Sequence, residues 1–419
     1  MRLLHTSDWH LGQTLHNFER HYEHQCFLDW LVDTIVSEEI DALLIAGDVF
    51  DTANPSALAQ KQLYRFLQQA RARAPQLDIV LIAGNHDSPG RIEAPGPLLE
   101  AHGTSVIGHV VRRDDGEIDL ERLLVPLHGK DGAIGAWCLA IPFLRPGDVP
   151  RLPAGADGTP VADAYLAGIA ELYRQTHALA TSRCGNGEAI LAMGHCHMVD
   201  GQASLESERR IVIGGTEALP ASIFADGIAY AALGHLHLAQ RVGSKDHLRY
   251  CGSPLPLSFS ETGYTHQVLR VDLEAGAPGH GVACAVTPLP VPRAVQLLRV
   301  PARPAPLDEV LAMLEALDLP DAPLHCQPYL EVRVLLDSPE PGLRGRIETA
   351  LAGKPVRLAK IEPTRRIETA GAVDTAMSLD QLAQLQPDDI FRRLYRQRFG
   401  EDAPDEQLSA FAELMVGGL

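Results

Sequence analysis

LIAGNHDSPG, Leu81 to Gly90, is the stretch on which the reading of this chain turns. An apolar run stops at Gly84 and gives way to Asn85, His86 and Asp87, three side chains able to bind a metal or move a proton. The run itself, short and rich in Ile and Leu, has the composition of a buried strand, so the polar cluster at its end needs a chemical reason. Four other apolar runs end the same way: TSDWH (6–10), AGDVFD (46–51), MGHCH (193–197) and LGHLH (233–237).

The elements between these runs alternate. RLLHTS reads as a strand, and Phe27, Leu28, Leu31, Val32 and Ile35 form the apolar face of a following helix. DALLIAGD and LDIVLIAGN are strands separated by a helix that opens at Pro55. After a Gly- and charge-rich hairpin region near residues 108–135, AWCLAIPF, EAILAMGHCH and IAYAALGHLH are strands, with a helix predicted from Val161 to about Leu179. This pattern is α/β, and in α/β sheets ligands bind at the carboxyl ends of the strands, so five polar termini can converge on one crevice.

EAGAPGHG (274–281) marks the end of the large domain, predicted as residues 1–280. The pattern then restarts from Val295, with strands at VQLLRV, YLEVRVLL and PVRLAKIEP and helices at LDEVLAMLEAL and GLRGRIETALAG: a small α+β unit within residues 281–365. Residues 366–419 read as a linker and a helical tail, with Ile390, Phe391, Leu394 and Tyr395, then Leu408, Phe411, Leu414 and Met415, as apolar positions. Such a helical pair packs on its own domain or is reserved for a partner.

Composition narrows the classes. The chain has 419 residues, 46% of them hydrophobic, enough for more than one core. No apolar stretch reaches membrane-span length and the N-terminus has no leader pattern, which predicts a cytoplasmic protein. The seven cysteines include no C-x-x-C pair, consistent with a reducing compartment and excluding a zinc ribbon. The net charge of −18 argues against holding nucleic acid by bulk electrostatics.

Asp, His and Asn together suit manganese, iron or zinc. Asp8, His10, Asp48, Asn85, His195, His235 and His237 are enough side chains for two ions if one carboxylate bridges. Two ions roughly 3.5–4 Å apart clamp the attacking and leaving oxygens of a phosphoryl displacement, so phosphoester hydrolysis follows as the reaction class. An extended backbone would aim Asp8 with His10, and His235 with His237, at one centre, turning Trp9, Leu236 and the Cys196 thiol away. Glycines before Asp48, Asn85, His195 and His235 permit close backbone approach.

Other polar residues carry less. His5, His16, His21, His24, His197 and His247 read as structural or surface histidines. YCGSP and LSFSE (250–261) are a loop near the site or a turn with a strand cap. Arg91, Arg145, Arg151, Arg209, Arg210, Arg241 and Lys245 would contact phosphates if they shared a face; scattered solvated charge is the simpler account for most.

DWH, GDVFD, GNHD, GH and GHLH, in this order, resemble the signature of the calcineurin-like metallophosphoesterases, and HTSDWHLG, ALLIAGDVFDTANPS and YCGSPLPLSFSE resemble the bacterial SbcD family of exonuclease subunits. The resemblance runs from Met1 to about Asp272, with a weaker likeness beyond it. It implies a sandwich of β-sheets flanked by helices, a capping domain and a partner-binding tail. One ion is implied on Asp8, His10, Asp48 and His237 and the other on Asp48, Asn85, His195 and His235, with Asp48 bridging. His86 matches the family's non-ligand catalytic histidine, with Asp87 orienting its ring. The nucleophile is implied to be an activated water, since no Ser or Cys lies in a nucleophile motif.

The resemblance further implies a manganese-dependent double-strand exonuclease of 3'-5' polarity and single-strand or hairpin endonuclease. Such a chain works as a dimer within a heterotetramer with a coiled-coil ATPase of the SbcC type, at the nucleoid, in DNA repair, recombination and replication. Two departures stand out: Asp51 occupies a position where some relatives carry a second histidine, and only the first histidine of HCH is required, leaving His197 without an assigned role. A stand-alone phosphoesterase acting on small phosphoesters or cyclic nucleotides would use the same ligands, and a non-catalytic scaffold would be expected to have lost some.

Overall fold

The computed structural model describes residues 1–151, 164–185, 187–199, 201–202, 218–274, 282–338 and 340–365, with five isolated positions between 391 and 408. The chain begins with β1 (Arg2–Thr6), a small hairpin of β2 (Thr14–Leu15) and β3 (Phe18–Glu19), α1 (His21–Ser37), β4 (Ala42–Ala46), α2 (Ala57–Arg73) and β5 (Asp78–Ile82). Two short helices, α3 (Pro89–Glu93) and α4 (Gly96–Glu100), lead into β6 (Thr104–Ile107). A hairpin, β7 (Leu124–His128) and β8 (Ile134–Ala140), is followed by α5 (Ala164–Arg183), β9 (Ala189–His195), β10 (Ile228–Gly234), β11 (Gln240–Val242), β12 (Lys245–Tyr250), β13 (Gln267–Glu274) and β14 (Ala283–Pro290).

These strands form two six-stranded sheets, ordered β14-β13-β1-β4-β5-β6 and β11-β12-β10-β9-β8-β7. The period of two explains why the sheets stack. In β4, Ala42, Leu44 and Ala46 join a core shared with the second sheet, while Leu43 and Ile45 join the core under α1 and α2. That outer core holds the helix face read from the sequence, Phe27, Leu28, Leu31, Val32 and Ile35, and Trp9 fits edge-on between Phe27 and Phe66 at 5.6 and 5.2 Å. Each sheet is parallel at its centre, β1 with β4, β5 and β6, and β8 with β9, β10 and β12. The carboxyl ends therefore gather at one edge of the sandwich.

Residues 283–290, placed by sequence in the capping unit, belong instead to the first sheet, where β14 pairs antiparallel with β13 along its whole length. The Gly-rich link at 275–281 joins paired strands of one sheet and is not a domain boundary. The pattern restarts as β15 (Leu297–Pro306), α6 (Leu307–Glu315), β16 (Tyr329–Leu336), α7 (Leu343–Ala350) and β17 (Arg357–Arg365), a parallel sheet of order β15-β16-β17 with its own core of Val310, Leu314, Leu330, Val332, Val334 and Ile347.

This small unit seats on the sandwich through a second kind of contact. Leu15, Phe259, Val295, Leu297 and Tyr329 form a separate buried cluster, the Tyr329 hydroxyl donates to Glu23 on α1 at 2.9 Å, and the Arg357 guanidinium lies 3.8 Å above the Tyr329 ring. Residues 366–419 fall into a separate unit, and the tail positions named above lie outside the described residues except Phe391, Tyr395 and Leu408. Among the described residues no helix is long and apolar enough to cross a membrane.

Candidate metal centre

The five motifs meet. Asp8 follows β1, Asp48 follows β4, Asn85 follows β5, His195 ends β9, and His235 and His237 follow β10. Three groups of ligand atoms lie mutually within 4.8 Å: Asp8, His10 and His237; Asp8, Asp48 and His195; and His10, Asp48 and His86. The His235 backbone N–H donates to the Asp8 carboxylate at 3.0 Å, and its ring lies 5.5 Å from that of His195.

The backbone that gathers them is not the extended one expected from the alternation. Asp8 (φ 54°), His10 (φ 46°), Asp48 (φ 48°) and His235 (φ 106°) all lie at positive φ, which disfavours residues with a Cβ. Same-side facing of Asp8 and His10 comes from tight left-handed turns after the strand has ended, not from strand alternation. Trp9 and Leu236 do turn into the two cores. Close approach is enforced at the glycines: a Cβ on Gly84 would overlap the Asp48 carboxylate and backbone nitrogen, and one on Gly234 would overlap the Ala46 carbonyl oxygen.

Three ring hydrogen bonds orient the histidines. His195 Nδ1 lies 2.9 Å from the Ala46 carbonyl oxygen, His237 Nδ1 lies 2.8 Å from Glu261 Oε1, and His10 Nδ1 lies 3.3 Å from Asp51 Oδ1. Each partner only accepts, so each Nδ1 carries the proton and each Nε2 is left with a lone pair directed inward. His10 Nε2 is buried with no hydrogen-bond partner and stands 3.7 Å from Asp48 Oδ2. His195 Nε2 faces two more oxygens, Asn85 Oδ1 at 2.9 Å and Asp48 Oδ2 at 3.4 Å. Lone pairs converging on one point from nitrogen and oxygen call for a cation, and this donor set fits a divalent ion.

The electrostatics agree. Burial raises the Asp8 carboxyl, with the nearby Asp48 charge adding to the effect. Asp48 is likewise penalised by burial, yet the rings of His195, His10 and His86 around it hold its carboxyl far below the ordinary range. Burial alone would lower the His195 ring, but Asp48 and then Asp8 outweigh it and bring it to about 9, the response of a ring that faces concentrated negative charge. Burial keeps His235 neutral, reinforced by the His195 charge.

His86 is half-buried beside this group. Its backbone N–H donates to Asp48 Oδ1 at 2.8 Å, its ring lies 4.8 Å from that of His10, and its Nδ1–H donates to the backbone carbonyl of Asp51 at 2.7 Å. Asp87, expected to orient this ring, has its described hydrogen bonds with backbone N–H groups. The Asp87 carboxylate accepts from the backbone N–H groups of Gly84 (2.9 Å), Phe50 (2.9 Å) and Val49 (3.2 Å), so it ties the two ligand-bearing loops together. Burial, and then Asp48, push its pKa up to about 6 despite those donors. Asp51 takes the orienting part for both neighbours, with its side chain on His10 and its carbonyl on His86.

Glu261 and Ser7 lie in motifs quoted from the sequence, LSFSE and HTSDWHLG, but neither has a role assigned there. Ser7 donates to Asp8 and contacts the Cys251 thiol at 3.1 Å, and Ser253 N–H donates to the His237 carbonyl at 3.1 Å, so YCGSPLPLSFSE lies against the candidate ligands. The only sequence signal was the continuity of that motif. The His197 ring lies tilted 6.2 Å from that of His235, and His5 is a buried structural residue between Tyr230 and the Leu233 carbonyl. Arg209 and Arg210 lie outside the described residues, and Arg241 pairs with Asp246. Arg145 sits 5.3 Å above the Phe143 ring, itself 6.4 Å from His195.

Comparison with known proteins accounts for this arrangement. Residues 1–239 match the family model described as calcineurin-like phosphoesterase, and residues 293–399 match the one described as type 5 capsule protein repressor C-terminal domain. The SbcD subunit of the nuclease SbcCD from Rhodobacter capsulatus is 41% identical over 87% of this chain and 88% of its own. The chain belongs to the SbcD family. The Escherichia coli K12 member is 33% identical over 94% of this chain and 92% of its own, and the Bacillus subtilis member 40% identical over 66% and 67%. The SbcD likeness thus spans the sandwich and the small α+β unit, which a stand-alone phosphoesterase would not require.

Proposed function

We propose that this chain is the nuclease subunit of a DNA end-processing complex, with its chemistry at the convergent ends of β1, β4, β5, β9 and β10. It is a metal-dependent hydrolase of phosphodiester bonds, as its SbcD relatives and phosphoesterase domain indicate. The observation that carries the site reading is the set of Nε2 lone pairs of His10, His195 and His237, each fixed by an acceptor on its own Nδ1–H and each facing Asp8 or Asp48.

We assign Asp8, His10, Asp48 and His237 to one ion and Asp48, Asn85, His195 and His235 to the other; the mixture of carboxylate, amide and imidazole donors suits manganese, iron or zinc, and we take manganese from the resemblance to the SbcD family. Bound there, two divalent ions supply Lewis-acid chemistry at the scissile phosphate. Asp48 holds the ligand groups together and, through Oδ1, fixes the His86 backbone. His86, with Nδ1–H committed to the Asp51 carbonyl, is left with Nε2 for the reaction: as the imidazolium it hands the Nε2 proton to the leaving oxygen or stabilises negative charge on the phosphorane oxygens. Phe143, 6.4 Å from His195, and Arg145 above the Phe143 ring suit a sugar or base and a phosphate of the same strand.

The name that the relatives share places them in a complex, SbcCD, and we extend to this chain a partner ATPase of the SbcC type and a dimer within a heterotetramer. Such a partner would also lend positive surface to a chain of net charge −18. All seven cysteines are free, which suits a cytoplasmic, nucleoid-associated protein. We divide the chain into the sandwich, the cap from about residue 293 and a partner-binding tail beyond 365.

The test is manganese-dependent cleavage of end-labelled hairpin and linear duplex DNA, with and without the ATPase. Cleavage stimulated by ATP in the complex, and lost in His86→Ala while manganese is still bound, is expected. Hydrolysis of a small phosphodiester with every DNA substrate left intact would refute the assignment.

A further inference from the structure

Glu261 is buried on the 3-10 turn Phe259–Gly263, in a loop that otherwise serves as a connection between β12 and β13. Its two oxygens are separately engaged. Oε1 accepts the His237 Nδ1–H at 2.8 Å, and Oε2 accepts the Leu257 backbone N–H at 2.7 Å. A buried carboxylate is costly unless its acceptors are used, and here one is used on a metal-ligand histidine and the other on the loop that carries it.

From this geometry we infer that Glu261 is a positioning residue for the metal centre. It holds His237 in the tautomer with Nε2 unprotonated and turns that nitrogen toward Asp8 and His10. The inference rests on the reading of His237 as a ligand. The same loop is braced from the cap side, because the Arg20 guanidinium donates to the Pro256 carbonyl at 2.7 Å and to Glu23, the acceptor of the cap residue Tyr329. Seating of the cap thus reaches the ring of His237 through Arg20, residues 256–257 and Glu261.

An amide cannot replace this carboxylate. With its oxygen toward Leu257, a glutamine would set its NH2 against His237 and drive the ring to the Nε2–H tautomer, which cannot ligate. With its oxygen toward His237, the NH2 would face the Leu257 N–H and the loop would have to move. A defect confined to the ion that His237 binds is therefore expected.

The experiment is a manganese titration of the purified full chain, by calorimetry and by the electron spin resonance signal of free manganese, for wild type, Glu261→Gln, Glu261→Ala and Glu261→Asp. One of two binding events is expected to weaken by about 10- to 100-fold in the Gln and Ala variants, as for loss of an outer-shell partner in other metal sites, with the other event unchanged. The metal-free melting temperature guards against simple misfolding. Wild-type affinity at both events in the folded variants would overturn the inference. Equal weakening at both would overturn it too, since a collapsed loop and not one ligand would then be at fault. If the wild-type chain itself binds no manganese, the ligand reading fails and this inference falls with it.

Discussion

Glu23→Gln tests whether the contact between α1, the 256–257 loop and the cap is an ion pair with no solvent to replace it. Arg20 is 1% exposed and Glu23 2%, and the pair is bidentate, with Nε to Oε1 at 2.9 Å and Nη2 to Oε2 at 2.7 Å. The remaining Arg20 bonds go to neutral acceptors, Gln13 Oε1 at 2.9 Å and the Pro256 carbonyl at 2.7 Å. Glutamine keeps the volume and one acceptor but removes the paired carboxylate, leaving the guanidinium charge only the more distant Glu261, and breaking a buried pair from one side costs about 3–5 kcal/mol. Because one oxygen and the other Arg20 acceptors survive, we expect the lower end, about 3 kcal/mol. Guanidinium denaturation of the full chain should show a lower midpoint at unchanged slope. The double variant Arg20→Met with Glu23→Leu should recover part of the loss, since it leaves no charge behind. A single variant within about 0.5 kcal/mol of wild type, the range of ordinary surface changes, would show that water reaches the pair and that the buried description is wrong.

Two further outcomes follow from the same structure. Gly84→Ala puts a Cβ onto Asp48 and should lower metal-dependent turnover by roughly 100-fold or more, the cost of misplacing a catalytic group by about an ångström; turnover like that of wild type would mean the two loops are far less tightly packed. Burial lowers the His5 pKa from 6.5 to about 3 against the lesser pull of the Leu233 carbonyl. The unfolded chain then binds this proton first, so its contribution is intact above pH 6.5 and is lost as pH falls toward 3, about 2 kcal/mol by pH 5. His5→Gln should flatten that part of the stability profile measured on metal-free protein, and an unchanged acid limb would exclude His5 as its source.

The five motif endings were legible in the sequence because each joins two signals that a chain rarely combines by chance: an apolar strand and, at once after it, ligand side chains, in four of the five behind a glycine. That was enough to single out Asp8, His10, Asp48, Asn85, His195, His235 and His237 as candidate ligands, and to order the strands and helices through the period of their apolar faces. Local pattern could not reveal what depends on contacts between distant segments. Asp87 stands next to a histidine in the chain and Glu261 does not, yet only the fold shows that Asp87 binds backbone N–H groups and that Glu261 holds a histidine ring from 24 positions away. The same holds for the left-handed turns at Asp8, His10 and Asp48 and for the pairing of β14 with β13 across a Gly-rich link. Sequence determines which side chains stand at the ends of strands because hydrophobic burial acts residue by residue along each strand. Tertiary structure decides what those side chains hold, because hydrogen bonds and close backbone approaches are set by atoms that other strands bring within about 3 Å.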